Sequence, residues 1–322
     1  MAQGADNKEI MKKNLQFSCF PLLLLALCLA VSSCKSKPVP VPPPELPELP
    51  ELPVPSLVFE NVEAEDPIHL NLNYIFKIEN PFPVAVRLKL ESYRVEINGQ
   101  KTQSGFNLEN SEGFDFSIKA AAAGAGSVPF SLPLRLNMDI DALSGQGLAP
   151  ADDYKVNLIL ELNFSPGNAV TQGLAAAGRL EVSGLAAFPG VQAPVFSITS
   201  IAILKAELVN TRFRVGLQID NPNPFPVELS AFGYELYGNG RLWADGVEKN
   251  ILKVNGKSSL KGNLFLIMNF INMKRDLLDQ IIYLVDVNYR FTGEAMVGTG
   301  VEYLPKFRTG FNLSGYSQVL EN

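Results

Sequence analysis

Histidine, cysteine and tryptophan are nearly missing from this chain of 322 residues, which holds one His, three Cys and one Trp. A Ser-His-Asp triad would have to use His69, which lies on the polar phase of an alternating strand pattern and reads as an exposed strand residue. A zinc site needs three or four ligands at suitable spacing, and no such grouping occurs. Cys19 and Cys28 fall within an apolar run from Phe17 to Val31, so only Cys34 lies beyond it. A disulfide, a thiolate metal site and a cysteine nucleophile are thereby excluded downstream, and the fold has to be held by its core. The net charge is −6, which argues against nucleic acid as a partner and against strong electrostatic attachment to anionic lipid. No cofactor motif is present: the glycine-rich stretch Ala120–Gly126 lacks the Lys-Ser/Thr and the helix of a phosphate-binding loop and reads as an inter-strand loop. Asp139 and Asp141 read as a helix start and Asp152 and Asp153 as a loop, in preference to calcium ligands. Trp243 reads as a packing residue, with an aromatic binding platform as the alternative.

What is present begins with Cys34. Lys12-Lys13, the apolar run and the small residues of Val31-Ser32-Ser33-Cys34 describe a secretory signal. A cysteine at the break resembles the signal of a bacterial lipoprotein, which implies lipid on Cys34 and residues 1–33 removed. Lys35 after that cysteine is unlike an inner-membrane retention signal and leans towards the outer membrane. An N-terminal anchor helix that is never cut is the alternative, though the run is short of the roughly 20 residues a span needs. Met11 reads as a more natural start than Met1, because Asp6 and Glu9 precede it. Loss of residues 1–33 makes the net charge one unit more negative and leaves enough chain for two ordinary domains.

Residues 34–55 are expected to form a tether. Pro42-Pro43-Pro44 is followed by Glu45-Leu46-Pro47, Glu48-Leu49-Pro50 and Glu51-Leu52-Pro53. Proline at this density favours polyproline II, with a reach of roughly 60 Å. A ligand for a proline-binding groove is the alternative.

Beyond Pro55 the pattern is β. Ile68, Leu70, Leu72, Tyr74, Phe76 and Ile78 alternate with mostly polar residues, and similar runs span Tyr154–Phe164, Thr211–Ile219 and Val285–Phe291. One segment reads as helical, Lys274 to Leu284 with Asn272 as its N-cap. The strands repeat. Asn80-Pro81-Phe82-Pro83 and Asn221-Pro222-Asn223-Pro224-Phe225-Pro226 each follow a long alternating strand, and each precedes a strand ending in Asn-Gly, at Asn98-Gly99 and Asn239-Gly240. Asn-Gly between strands is a hairpin signal. Leu136-Asn137-Met138 matches Ile271-Asn272-Met273, and each copy is expected to close on Ser-Gly, at Ser183-Gly184 and Ser314-Gly315. The domains are expected at 56–190 and 191–322. In each Asn-Pro element, proline cannot join a ladder and asparagine can bond nearby backbone. The element therefore reads as a rigid bend whose phenylalanine enters the core and whose prolines guard a sheet edge, with a binding epitope as the alternative.

An alternating strand, Asn221-Pro222-Asn223-Pro224-Phe225-Pro226-Val227 and an Asn-Gly hairpin together resemble the WHy (water stress and hypersensitive response) domain of the late embryogenesis abundant type 2 family. Residues 191–322 carry the fuller match and residues 56–190, with one Asn-Pro unit, the lesser. The resemblance implies an all-β protein of two tandem antiparallel β-sandwiches, about seven strands and one short helix each. It also implies a non-enzymatic role in desiccation or other stress, and brings no catalytic residues. An envelope interaction or adhesion module and a carrier of an apolar ligand are the other functions considered. The expected partners are a membrane, through the lipid, and an envelope protein.

Overall fold

The computed structural model describes residues 50–102, 105–122, 126–145, 148–168, 175–206, 210–269, 287–317 and 320–321. Cys34, the signal run, most of the tether and the expected helix at Lys274–Leu284 lie outside them. Glu48–Asn322 is one compact unit.

The first half holds β1 (Ser56–Ala64), β2 (His69–Asn80), β3 (Val86–Ile97), β4 (Gln100–Thr102), β5 (Phe106–Leu108), β6 (Asp115–Ile118), β7 (Val128–Asp139), α1 (Ile140–Ser144), β8 (Asp153–Pro166) and β9 (Gly178–Pro189). The second holds β10 (Val195–Ala206), β11 (Asn210–Asn221), β12 (Val227–Gly238), β13 (Arg241–Glu248), β14 (Leu252–Val254), β15 (Ser258–Asn269), β16 (Val287–Val301), β17 (Leu304–Ser317) and β18 (Leu320–Glu321). Four sheets result, ordered β1-β2-β7-β5, β4-β3-β8-β9 with β6 beside β3, β15-β11-β10-β18, and β13-β12-β16-β17 with β14 beside β12. The pairings are antiparallel except for the short β10–β18 contact. The fold is all-β and sandwich-like, as the alternation requires.

Alternation puts one phase of each strand inside. Leu72, Tyr74 and Phe76 of β2 meet Val156, Leu158 and Leu160 of β8 in one core. Phe213, Val215 and Leu217 of β11 meet Leu236, Phe291 and Val297 in another. Burial of Tyr74 pushes its hydroxyl far above the usual tyrosine range. The aromatic side chains Phe196, Phe232, Phe291 and Phe311 form a contiguous cluster with ring centroids 4.7–5.9 Å apart, geometry that aromatic pairs favour.

Both Asn-Gly pairs turn as expected. Asn98 and Gly99 have φ of 50° and 80°, and Asn239 and Gly240 have 48° and 77°, the left-handed angles of a two-residue hairpin. Each asparagine also clamps the next strand. The Asn98 Oδ1 accepts from the Lys155 amide at 2.9 Å, and the Asn239 Oδ1 accepts from the Asn288 amide at 3.2 Å. Asp139 caps α1 by accepting from the Ala142 amide, and Asp141 lies in its first turn. Asp152 lies before β8, in contact with the Lys257 ammonium at 2.6 Å, and Asp153 is the first residue of β8.

Register corrects two alignments drawn from sequence alone. Asn80 faces Val128 across β2 and β7, and Asn221 faces Ser258 across β11 and β15. Counting onward, Leu136 stands opposite Leu72 and Leu266 opposite Phe213. Leu136-Asn137-Met138 therefore corresponds to Leu266-Ile267-Met268, and not to Ile271-Asn272-Met273. Likewise Gly184 pairs with Leu158 while Gly315 pairs with Tyr289. The two Ser-Gly pairs lie inside β9 and β17, out of register by two residues, and neither ends a strand.

Candidate functional site

The Asn-Pro bends leave the sheets where β2 hands over to β3 and where β11 hands over to β12. Asn80 is fully buried and Asn221 is 2% exposed, unusual for asparagine unless its groups are bonded. They are. Asn80 Oδ1 accepts from the Phe82 amide at 3.0 Å, and its Nδ2 donates to the Val84 and Lys119 carbonyls at 3.0 and 2.7 Å. Asn221 Oδ1 accepts from the Asn223 amide at 3.0 Å, and its Nδ2 lies 2.8, 3.2 and 3.0 Å from the Phe225, Val254 and Asn255 carbonyls. One side chain thus makes the turn and ties it to the residue just past β6, or to the end of β14 and the residue after it. The prolines remove two or three amide donors from each bend.

These bonds show which positions correspond. Each asparagine bonds the amide two residues on and the carbonyl four residues on, so Phe82 stands where Asn223 stands, and Val84 where Phe225 stands. Matching the two Phe-Pro pairs, the natural alignment of the strings, is off by two. Phe82 is fully buried, its ring 5.8 Å from that of Phe164. Asn223 is equally buried but spends its side chain on backbone, accepting from the Gln192 amide at 2.7 Å and donating to the Gln192 carbonyl at 2.8 Å. Phe225 is only partly buried against the second core. Pro83, Pro224 and Pro226 are exposed, while Pro81 and Pro222 are half-buried. The second Asn-Pro unit was the available signal for the Gln192 tie, but its partner across the chain was not legible.

His69 opens β2 and is exposed. Its Nδ1 lies 2.7 Å from the Asp66 Oδ2, while Asp66 Oδ1 accepts from the Ile68 and His69 amides at 2.9 and 2.8 Å. The hydrogen bond to the carboxylate raises the His69 pKa above its ordinary 6.5. Partial burial pushes Asp66 up, but the bonds from His69 and the two amides outweigh it and hold the carboxyl below 3.8. The raised histidine stabilises the fold most below pH 6.5, an effect lost as pH rises through its folded value. The lowered carboxyl stabilises it above pH 3.8, an effect lost as pH falls through its folded value. The pair therefore contributes most between those two limits, and little overall, because both groups face solvent. Asp66→Asn is expected to return the His69 midpoint towards 6.5, read by proton NMR titration. An unmoved midpoint would show that the contact does not persist in solution.

Trp243 is 4% exposed and stacks on Phe213, with centroids 5.6 Å apart and planes at 23°. Its indole covers Gly238 so closely that a Cβ there would lie 1.8 Å from the ring. The tryptophan is thus core and offers no platform. Among the described residues there is no group of three or more His, Cys, Asp or Glu able to hold a metal ion. No described helix is long and apolar enough to cross a membrane.

The matched region lies on this second sheet pair. Residues 216–305 match the family model for late embryogenesis abundant protein, type 2, running from β11 through the bend and hairpin to β17. This segment is similar to that family. No curated protein matches the chain. Among solved structures, a protein from Archaeoglobus fulgidus is 17% identical over 39% of this chain and 97% of its own, with a TM-score of 0.24. A Bacteroides uniformis β-glucuronidase 2 calcium-binding mutant is 9% identical over 75% of this chain and 26% of its own, with a TM-score of 0.21. A family 2 glycosyl hydrolase from Bacteroides cellulosilyticus is 6% identical over 77% and 31%, with a TM-score of 0.25. The chain spans about a quarter to a third of the length of those two enzymes.

Proposed function

We propose that this protein is a lipid-anchored, non-enzymatic stress protein of the bacterial cell envelope, carrying two tandem WHy-like domains on a proline-rich stalk. The observation that carries the reading is the Asn-Pro bend. Its buried asparagine staple sits inside the family-matched segment, at Asn221, and the same bond pattern surrounds Asn80 in the first half. The shared order of β1-β2-β7 with β10-β11-β15, and of β4-β3-β8-β9 with β13-β12-β16-β17, supports assigning residues 56–190 and 191–322 to copies of one domain. The stapled asparagines are structural here, because every polar atom they offer is used by backbone.

Cys34 is the lipid attachment site in this reading, and the outer membrane is its location. The stalk then gives both domains a reach of up to roughly 60 Å from the bilayer. Protection follows from a disulfide-free fold with a net acidic surface, which stays soluble and shields neighbouring proteins or lipid. Two measurements test the proposal. Labelling with a fatty acid in cells is expected to mark the wild type and not Cys34→Ala; equal labelling, or none in either, removes the anchor. The purified protein is expected to preserve a labile enzyme through drying better than an equal mass of inert protein, and parity between the two removes the protective role.

A further inference from the structure

The outer faces of the two matching sheets have diverged at equivalent positions. In the first half, β2 and β7 present Asn71 opposite Asn137 and Asn73 opposite Arg135. Their charge is neutralised locally: Arg135 lies 3.3 Å from Glu63 and 3.1 Å from the Asn73 amide oxygen. In the second half the same four positions hold Arg212 opposite Ile267 and Arg214 opposite Phe265. Phe265 is 64% and Ile267 63% exposed, and Lys261 is exposed on the same strand face.

Arg212 and Arg214 share with Arg241 the lack of an ion pair or ring contact among the described residues, while Arg290 lies over the Tyr237 ring. Arg87, Arg94, Arg135, Arg179 and Arg308 each form an ion pair. Among the described residues, Arg212 and Arg214 form none. They stand two apart on one strand face, so their stems are roughly 7 Å apart and their charges repel. The fold does not require this arrangement, since asparagines serve at the same places in the first half. Cation beside exposed aromatic and aliphatic side chains, in a chain whose net charge is −6, is the composition that an anionic bilayer surface attracts. The cations meet phosphate and the apolar side chains enter the headgroup boundary.

We infer that the outer face of the β11–β15 sheet, through Arg212, Arg214, Lys261, Phe265 and Ile267, docks on an anionic phospholipid surface. This contact is separate from the lipid on Cys34 and does not depend on it. It brings the second domain down to the membrane and leaves the neutral amide face of the first domain in water.

The test uses the full-length chain carrying Phe265→Trp, with wild type supplying the background emission of buried Trp243. Vesicles with brominated acyl chains are made of phosphatidylcholine alone or of an equimolar mixture with phosphatidylglycerol. Sedimentation reports whether the chain is on the vesicle, so loss of anchoring and loss of docking are read apart. The emission added by Phe265→Trp is expected to be quenched on the mixed vesicles, to escape quenching on phosphatidylcholine, and to recover in high salt. Adding Arg212→Asn and Arg214→Asn, the residues of the first half, is expected to lower the docked-to-free ratio about 30-fold. Equal quenching on both vesicle types, no quenching on the mixed ones, or quenching that survives removal of both arginines would each overturn the inference.

Discussion

Asn221→Ala is expected to destabilise the second domain by about 3 kcal/mol or more. The wild-type amide serves three backbone carbonyls and accepts from the Asn223 amide and side chain, all inside a buried bend. Truncation leaves these groups without water to replace what they lose, and an orphaned buried group costs about 1–3 kcal/mol. The loss also frees Asn223, whose hold on Gln192 depends on the same turn. Asn80→Ala in the first half, where the amide serves two carbonyls and one amide, should cost less, about 2 kcal/mol. Urea unfolding followed by Trp243 emission checks the first, because that ring reports the second core. A cost below about 1 kcal/mol would mean that water reaches the bend and that the staple is replaceable.

Gly238→Ala is expected to be as damaging, although it adds a single methyl group. The new carbon would coincide with the six-membered ring of Trp243 at 1.8–2.3 Å. The ring is held on its other side by Phe213 and cannot retreat within the core, so it must leave or β13 must peel from β12. Ejecting a buried indole costs about 3–5 kcal/mol. The equivalent position in the first half is Ile97, fully buried, so one half fills this volume from its own strand and the other fills it from the neighbouring strand. An aromatic ring covering a cross-strand glycine is a known device for closing such a gap. Since Trp243 is the one tryptophan, its emission should shift to the red in step with the loss of stability. An unshifted spectrum with unchanged stability would show that the ring has room that the geometry denies.

Much of the architecture was legible from residue pattern. The period-two alternation of β2 and β11 named the buried phase, and the Asn-Gly pairs placed both hairpins because few other dipeptides tolerate two left-handed residues in a row. The Asn-Pro elements were legible as bends, since proline forbids the ladder. What each side chain does inside the bend was not. Phe82 and Phe225 look equivalent as strings, yet the hydrogen-bond pattern pairs Phe82 with Asn223, because the frame of the turn is set by the asparagine that caps it and not by the phenylalanine that follows. The Leu-Asn-Met and Ser-Gly matches failed for a related reason: short apolar strings recur along any alternating strand, and only inter-strand register says which copy faces which neighbour.

Sequence by itself determined the all-β class, the two bends and hairpins, the scarcity of catalytic side chains and the prominence of Cys34, because each follows from local backbone preference or from residue counts. Tertiary structure alone decided that Asn80 and Asn221 are buried staples, that Trp243 completes a glycine gap, and that equivalent sheet faces carry amides in one half and an unpaired arginine pair with Phe265 and Ile267 in the other. These depend on which strands lie side by side, and contacts between residues tens of positions apart leave no periodic trace in the chain.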